Sequence, residues 1–344
     1  MQRLMQLWYG DRAASAALVP LSWLYGLAIR LRRAAYAHGW CAVRRATRPV
    51  IVVGNLTVGG TGKTPLVVWL AERLSATGLK VGIVSRGYGR TTRGQLRVSA
   101  ASAWQQVGDE PLLLHRLTGC DTVVSRDRFA AAEELIGRGA DLIIADDGLQ
   151  HLQLARDCEI VVIDGARGFG NGRLLPAGPL REPAARLQQA AIRVVNGIPE
   201  HASLAGAAGQ GGADLLRMSL FGASACRLDE AGEPLPLAYW RGQRVHAVAG
   251  IGNPQRFFRQ LHECGMEVAG HAFADHHAFS AADLDFGDAL PVLMTQKDAV
   301  KCRPFALPRF WYVPVVARLS EAESRELLER VLRALGPSVN VKVR

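Results

Sequence analysis

Largely apolar runs of three or four residues recur through the first two thirds of the chain, each ending in a polar or glycine-rich turn. Residues 50–53, 81–84, 122–124, 142–145, 160–163 and 192–195 read as strands. The text between them, such as 126–138, spaces its apolar positions as a helix does. Strands apolar on both faces that alternate with helices predict a parallel sheet covered on both sides. Ligands in such sheets sit beyond the carboxyl ends of the strands, so the residues after each run are where chemistry is expected. Past an Ala- and Gly-rich stretch at 200–214, read as a linker, a smaller α/β unit follows. There 244–249, 291–295 and 310–316 are strand-like and 254–264 helical. The last helix is signed by Ser320 with Glu323 as a capping box, Leu328, Val331, Leu332 and Leu335 as a buried stripe, and Gly336-Pro337 as its stop. The expected division is a helical segment over 1–48, a core over 49–212 and a smaller domain over 213–344.

The first strand runs into Gly54-Asn55-Leu56-Thr57-Val58-Gly59-Gly60-Thr61-Gly62-Lys63-Thr64 and then a helix with Pro65 just inside it. A glycine-rich loop between a strand and a helix N-terminus presents backbone N–H groups to an anion, and phosphate is the natural guest. Gly62, Lys63 and Thr64 match the end of a P-loop, where the lysine reaches the β- and γ-phosphates and the hydroxyl binds Mg²⁺. Thr57 stands where the strict pattern wants glycine, so Gly59 and Gly60 are expected to carry the turn. Thr57, Gly59, Gly60, Thr61, Gly62, Lys63 and Thr64 are the candidate nucleotide-binding residues. Asp146 and Asp147 end another strand, the usual place for the carboxylate that holds the nucleotide's metal, and His151 follows in the same turn.

Asp109 precedes a helical pattern and reads either as an N-cap or as a base for an acceptor hydroxyl. Asp275-His276-His277 reads as a proton relay or as exposed loop; neighbours on an extended segment face opposite ways, which opposes joint metal ligation by the two histidines. Glycine-rich arginine loops, one with Arg86 and Tyr88, the other with Asn171, Arg181 and Glu182, suit a small or lipid phosphate.

A formal net charge of +10 implies an anionic partner, and its placement narrows which. The eight arginines of the first 48 residues, with Asp11 as the sole acid there, flank an uncharged run holding Leu21, Trp23, Leu24, Leu27 and Ile29. That run is short of a full span and interrupted by Pro20, so it reads as a helix in the headgroup region or as a hairpin packed on the core. Nucleic acid is not expected, since no binding motif with interleaved stacking aromatics is visible. The six cysteines form no C-x-x-C pair, which argues against a zinc site or disulfide framework.

Taken together, 54–65, 84–89, 108–111, 146–151, 168–182, 250–252, Asp275-His276 and 294–301 resemble the tetraacyldisaccharide 4'-kinase (LpxK) family over nearly the whole chain. The resemblance implies a P-loop kinase on the cytoplasmic side of the bacterial inner membrane, peripheral or monotopic. It would move the γ-phosphoryl of ATP, with Mg²⁺, to the 4'-hydroxyl of tetraacyldisaccharide 1-phosphate in lipid A biosynthesis, and work as a monomer. By motif match it assigns catalysis to Asp109, His276, Asp275 and Lys63, metal binding to Thr64, Asp146 and Asp147, and acceptor binding to Arg86, Tyr88, His151, Asn171, Arg181 and Glu182. A ParA-like membrane-associated switch ATPase is the alternative, and the second lysine of its loop is Val58 here.

Overall fold

The computed structural model describes residues 7–10, 13–204 and 215–336, so most of the expected linker and Pro337 lie outside the described residues. Eight strands come first: β1 (Val50–Gly54), β2 (Val81–Ser85), β3 (Leu96–Arg97), β4 (Asp121–Val124), β5 (Leu142–Asp146), β6 (Cys158–Asp164), β7 (Ile192–Asn196) and β8 (Leu215–Phe221). Seven more follow: β9 (Ser224–Arg227), β10 (Leu235–Pro236), β11 (Arg244–Ala249), β12 (Glu267–Ala272), β13 (Val292–Thr295), β14 (Phe310–Val313) and β15 (Val316–Arg318).

One sheet has the order β15-β8-β7-β6-β1-β5-β2-β4-β3, parallel from β8 to β4 with an antiparallel strand at each edge. All five residues of β1 are buried, as a central strand covered on both faces requires. Leu66, Val67, Leu70 and Leu74 of helix Lys63–Ala76 cover one face, together with Leu327, Val331 and Leu335 of helix Glu321–Leu335. Helix Arg128–Gly137 covers the other through Ala131, Ala132 and Leu135. Each large aliphatic side chain buried here contributes about 1.5–3 kcal/mol. The final helix has the expected capping box, but Leu327 takes the deepest position, and Leu328 and Leu332 pack half-buried beside it.

The second sheet has the order β10-β9-β14-β13-β11-β12. The two sheets divide the chain differently from a cut at 212/213. β8, β15 and the last helix belong to the first sheet, and the strand expected over 310–316 is broken at Pro314, where the chain crosses back. A proline lacks the N–H a ladder needs, which ends one strand and frees the next. The outgoing crossing lies against this one: a Cβ on Gly222 would sit 2.7 Å from the Pro314 carbonyl oxygen. The N-terminal segment forms helix Val19–Ala37 with Pro20 in its first turn, where the missing N–H costs nothing. Among the described residues no helix is long and apolar enough to cross a membrane.

Candidate active site

The carboxyl ends of β1, β2 and β5 open into a cavity of about 790 Å³, closed on its far side by the turns after β11, β12 and β13. On the near side the loop 54–62 makes the floor. Gly59 and Gly62 take positive φ, 109° and 95°, while Gly60 does not. A Cβ on Gly60 would meet nothing nearer than the Gly252 nitrogen at 4.0 Å, whereas a Cβ on Gly252, from the second sheet, would come within 2.4 Å of the Gly60 nitrogen, so it is Gly252 that must lack a side chain for the two backbones to touch. Asn55 accepts from Lys63 Nζ at 3.1 Å and donates to the Gly59 carbonyl at 3.3 Å, tying the ammonium to its own loop. Asn196, at the end of β7, donates to the Thr61 carbonyl and accepts from Arg256 at 2.9 Å.

The adjacent carboxylates are parted by the backbone. Asp147 turns at φ 47°, and its side chain sits 3.4 Å from Lys63 Nζ and 3.0 Å from Arg181 Nη1. Burial alone would raise its pKa, but those two cations outweigh it and hold the carboxyl well below the usual range. Asp146 stays at the strand end, 1% exposed, with Ser85 Oγ at 3.3 Å from one oxygen and no partner for the other. Burial first, then Glu110 and Asp147, pushes its pKa up to about 7. A buried carboxylate oxygen with nothing to satisfy it, in a cavity that Thr64 also lines, suits a hard cation that completes its shell with phosphate oxygens and water. Among the described residues no three acidic, His or Cys side chains gather to hold a metal alone.

Asp109 opens helix Asp109–Thr118 as its first residue rather than as an N-cap, and its carboxylate reaches the other sheet. Both oxygens lie 3.0 Å from His276 Nδ1, and Lys301 Nζ stands 3.7 Å away. Burial opposes the charge on Asp109, yet the His276 hydrogen bond and the Lys297, His276 and Lys301 charges bring its pKa down to about 2. His276 is shifted the other way: burial lowers its pKa, and the Asp109 contact more than restores it, leaving it raised. Tyr88 packs its ring 4.9 Å from the imidazole. His277 faces Asp283 instead, at 3.4 Å; Asp275 and His276 form a turn, with His276 at φ 61°, rather than the extended segment expected, and it is this turn that sends the two imidazoles apart.

The cavity wall includes Gly59 through Thr64, Arg86, Tyr88, Asp146, Asp147, His151, Arg181, Asp275 and His276. His151 has its pKa pushed down to about 4 by burial and by Arg128 and Arg156. Four other candidates do not line the cavity, and Asp109 is one of them: it is buried and meets the cavity only through His276. Thr57 is buried and bridged to Leu180. Asn171 folds its own loop, donating to the Ala177 carbonyl at 2.8 Å and accepting from the Arg173 N–H. Glu182 is buried behind the wall, where it takes Arg33 at 3.0 Å and Gln150 Nε2 at 3.0 Å. Sequence reading missed Asn55, Glu110, Asn196, Arg256, Lys297 and Lys301, which hold the site's charged groups in place. Lys297 and Lys301 lie four apart on helix Gln296–Cys302, and that i, i+4 spacing after a strand was the available signal.

The family described as Tetraacyldisaccharide-1-P 4'-kinase (LpxK) matches residues 14–333. A tetraacyldisaccharide 4'-kinase of Stenotrophomonas maltophilia is 50% identical over 326 residues, spanning 94% of this chain and 95% of its own length. That of Xanthomonas axonopodis is 49% identical, spanning 94% of each. Among solved structures, LpxK from Aquifex aeolicus, crystallised in complex with ATP, superposes with a TM-score of 0.77 at 29% identity over 94% of this chain and 99% of that one. The chain belongs to the tetraacyldisaccharide-1-P 4'-kinase (LpxK) family.

Proposed function

We propose that this protein transfers the γ-phosphoryl group of ATP to the 4'-hydroxyl of a tetraacylated glucosamine disaccharide 1-phosphate at a membrane surface. The observation that carries the reading is one cavity with a phosphate-binding loop on one wall and His276, held from behind by the buried Asp109, on the other. The amides of 59–64 and the Lys63 ammonium bind the triphosphate. Asp146 and Thr64 are the residues that would hold Mg²⁺, with Asp147 keeping Lys63 and Arg181 aligned. Bound there, Mg²⁺ would neutralise charge on the β- and γ-phosphate oxygens. His276, backed by Asp109, accepts the hydroxyl proton, so the O–H bond breaks as the oxygen attacks phosphorus; such a base contributes about 10²- to 10⁴-fold. Arg86, Tyr88, His151 and Arg181 surround the acceptor's sugar, and the unit over 222–315 closes on the nucleotide to exclude water.

Helix Val19–Ala37 docks the enzyme on the cytoplasmic face of the inner membrane as a monomer. Its outward Leu21, Trp23, Leu24, Leu27 and Leu31 are all more than half exposed. The family match and the ATP complex of the Aquifex relative support a kinase over a ParA-like switch ATPase. The test is incubation of the purified protein with [γ-³²P]ATP, Mg²⁺ and detergent-dispersed disaccharide 1-phosphate. Label in the lipid is expected, and label released only as inorganic phosphate would overturn the assignment.

A further inference from the structure

Lys297 reaches into the cavity from helix Gln296–Cys302 of the second sheet and makes three polar contacts. They are Glu110 Oε1 at 3.0 Å, Asp275 Oδ1 at 3.0 Å and His276 Nε2 at 3.4 Å. An ammonium carries three N–H donors and no acceptor, so an imidazole nitrogen beside it is favoured as an acceptor. The opposite nitrogen of the same ring, Nδ1, stands 3.0 Å from both oxygens of the Asp109 carboxylate, which can only accept while ionised. Acceptor on one side and donor on the other leave the ring a single neutral tautomer, with its proton on Nδ1.

We propose that Lys297 is a positioning residue for phosphoryl transfer: it opposes protonation of His276 at Nε2 and fixes the neutral ring with its proton on Nδ1, so that Nε2 is the nitrogen that takes the proton of the acceptor hydroxyl. This rests on the reading of His276 as the base. In the step, the acceptor hydroxyl takes the place of the Lys297 N–H at the one Nε2 lone pair. Its O–H bond breaks as an N–H bond forms at Nε2, the new O–P bond forms as the bond from the γ-phosphorus to the β-phosphate oxygen breaks and ADP leaves, and the imidazolium keeps its Nδ1–H on Asp109.

The need for such a group follows from the charges that face His276. Helix Asp109–Thr118 supplies Asp109 and Glu110, the turn after β12 supplies Asp275, and the loop after β2 supplies the neutral Tyr88 ring. Helix Gln296–Cys302 supplies Lys297, and also Lys301, which stands 2.9 Å from Asp298 as well as near Asp109. Three carboxylates, with Lys301 already engaged by Asp298, would favour a permanently protonated ring, which is no base. Lys297 is the cation in contact with Nε2, and it is itself kept charged because Glu110, Asp275 and Asp109 outweigh its burial. Protonation of Nε2 would then set two cations side by side, which Lys297 resists and which favours prompt release of the proton once transfer is done.

Two measurements test this. In protein labelled with ¹⁵N-histidine, long-range ¹⁵N–¹H correlation should give His276 a protonated Nδ1 and an unprotonated Nε2 above its pKa, with assignment by loss of the signals in His276→Gln. The reverse tautomer in the wild-type protein would overturn the proposal without any Lys297 variant or turnover assay. In Lys297→Met the His276 titration should move upward by about one pH unit, and the acid limb of kcat should move with it. Turnover at pH 7 then falls about tenfold and recovers at higher pH, and Lys297→Arg, which keeps the charge, restores the wild-type profile. A loss of kcat equal at all pH values, with the titration unmoved, would mean a structural role only and overturn the proposal. Were the wild-type protein to transfer no phosphoryl group to the disaccharide, the kinase reading would fail by itself, and the ¹⁵N result would still decide what Lys297 does to His276.

Discussion

Asp109 and His276 come from different sheets, and each holds the other's charge, which makes stability and turnover depend on pH in ways that can be separated. The carboxyl is brought from its ordinary 3.8 to about 2, so its stabilising contribution is present above the ordinary value and is lost as pH falls through the lower one. His276 is raised above its ordinary 6.5, so its contribution is full below that value and is lost as pH rises through the higher one. The pair therefore supports the fold most between roughly pH 4 and 6.5. Thermal melts of the wild type and His276→Gln should differ most in that window and converge outside it. Turnover has the opposite demand, since the base must be unprotonated, so kcat should rise with pH through the same His276 titration. Asp109→Ala should lower kcat by about 10²- to 10⁴-fold while leaving the KM for ATP within a few-fold. An unchanged kcat would remove Asp109 from the chemistry. Lys63→Met should instead weaken nucleotide binding itself, read by calorimetry with a non-hydrolysable ATP analogue, because Lys63 is the only ammonium at the phosphate loop among the described residues.

At the scale of elements, the contact between the loops at Gly59–Gly60 and Gly252 couples the two sheets at the nucleotide. A methyl on Gly252 would lie 2.4 Å from the Gly60 nitrogen and 2.9 Å from the Gly59 Cα, both backbone atoms that cannot swing away. Gly252→Ala should therefore move one loop and weaken ATP binding by about tenfold or more, with an unchanged far-ultraviolet circular dichroism spectrum. Wild-type affinity in this variant would show the loops to be independent. The phosphate loop, the acids after β5 and the parallel core were legible in the sequence because each depends on local pattern: an apolar strand, a turn that needs glycine, a helix with its first-turn proline. The return of the chain to the first sheet was not, because 310–316 reads as one strand and only Pro314 marks the break. Leu327 was passed over for Leu328 because both fit a helical stripe, and the sheet beneath decides which lies deeper. In the sequence Lys297 and Lys301 stand out only as part of the 294–301 motif. Their partners Glu110 and Asp109 lie almost two hundred positions earlier, and no spacing rule links charges that meet only when two sheets pack. Asn171 and Glu182 were misplaced for the converse reason: polar residues in an arginine loop look free in sequence, yet one caps its own turn and the other is buried under Arg33.

For the whole molecule, the geometry of helix Val19–Ala37 joins a greasy surface to a charged cavity. Its inward side is small and polar: Ser22 Oγ donates to the Leu174 carbonyl at 2.8 Å, and Gly26 leaves room for the Leu174 side chain. Tyr25 donates to the Arg181 carbonyl at 3.2 Å, Arg33 pairs with Glu182, and Arg32 lines the cavity itself. The outward side carries Trp23 at 72% exposure and Leu24 at 64%, a patch that a water-facing helix would avoid. An acceptor with acyl chains in a bilayer and its sugar in the cavity would place the chains beside this face and the headgroup beside Arg32. Exposed apolar residues contribute little to folding, so Trp23→Ser, Leu24→Ser and Leu27→Ser combined should leave the melting temperature nearly unchanged. The triple variant should lose most of its co-sedimentation with phosphatidylethanolamine–phosphatidylglycerol vesicles. It should also raise the KM for vesicle-borne acceptor by about tenfold while the KM for ATP stays put. Vesicle binding by the wild type should weaken with salt, since each arginine near an anionic surface contributes about 1 kcal/mol and is screened beyond a Debye length. If the variant sediments with vesicles as well as the wild type does, the apolar face is not the docking surface, and the lipid must reach the cavity from another side.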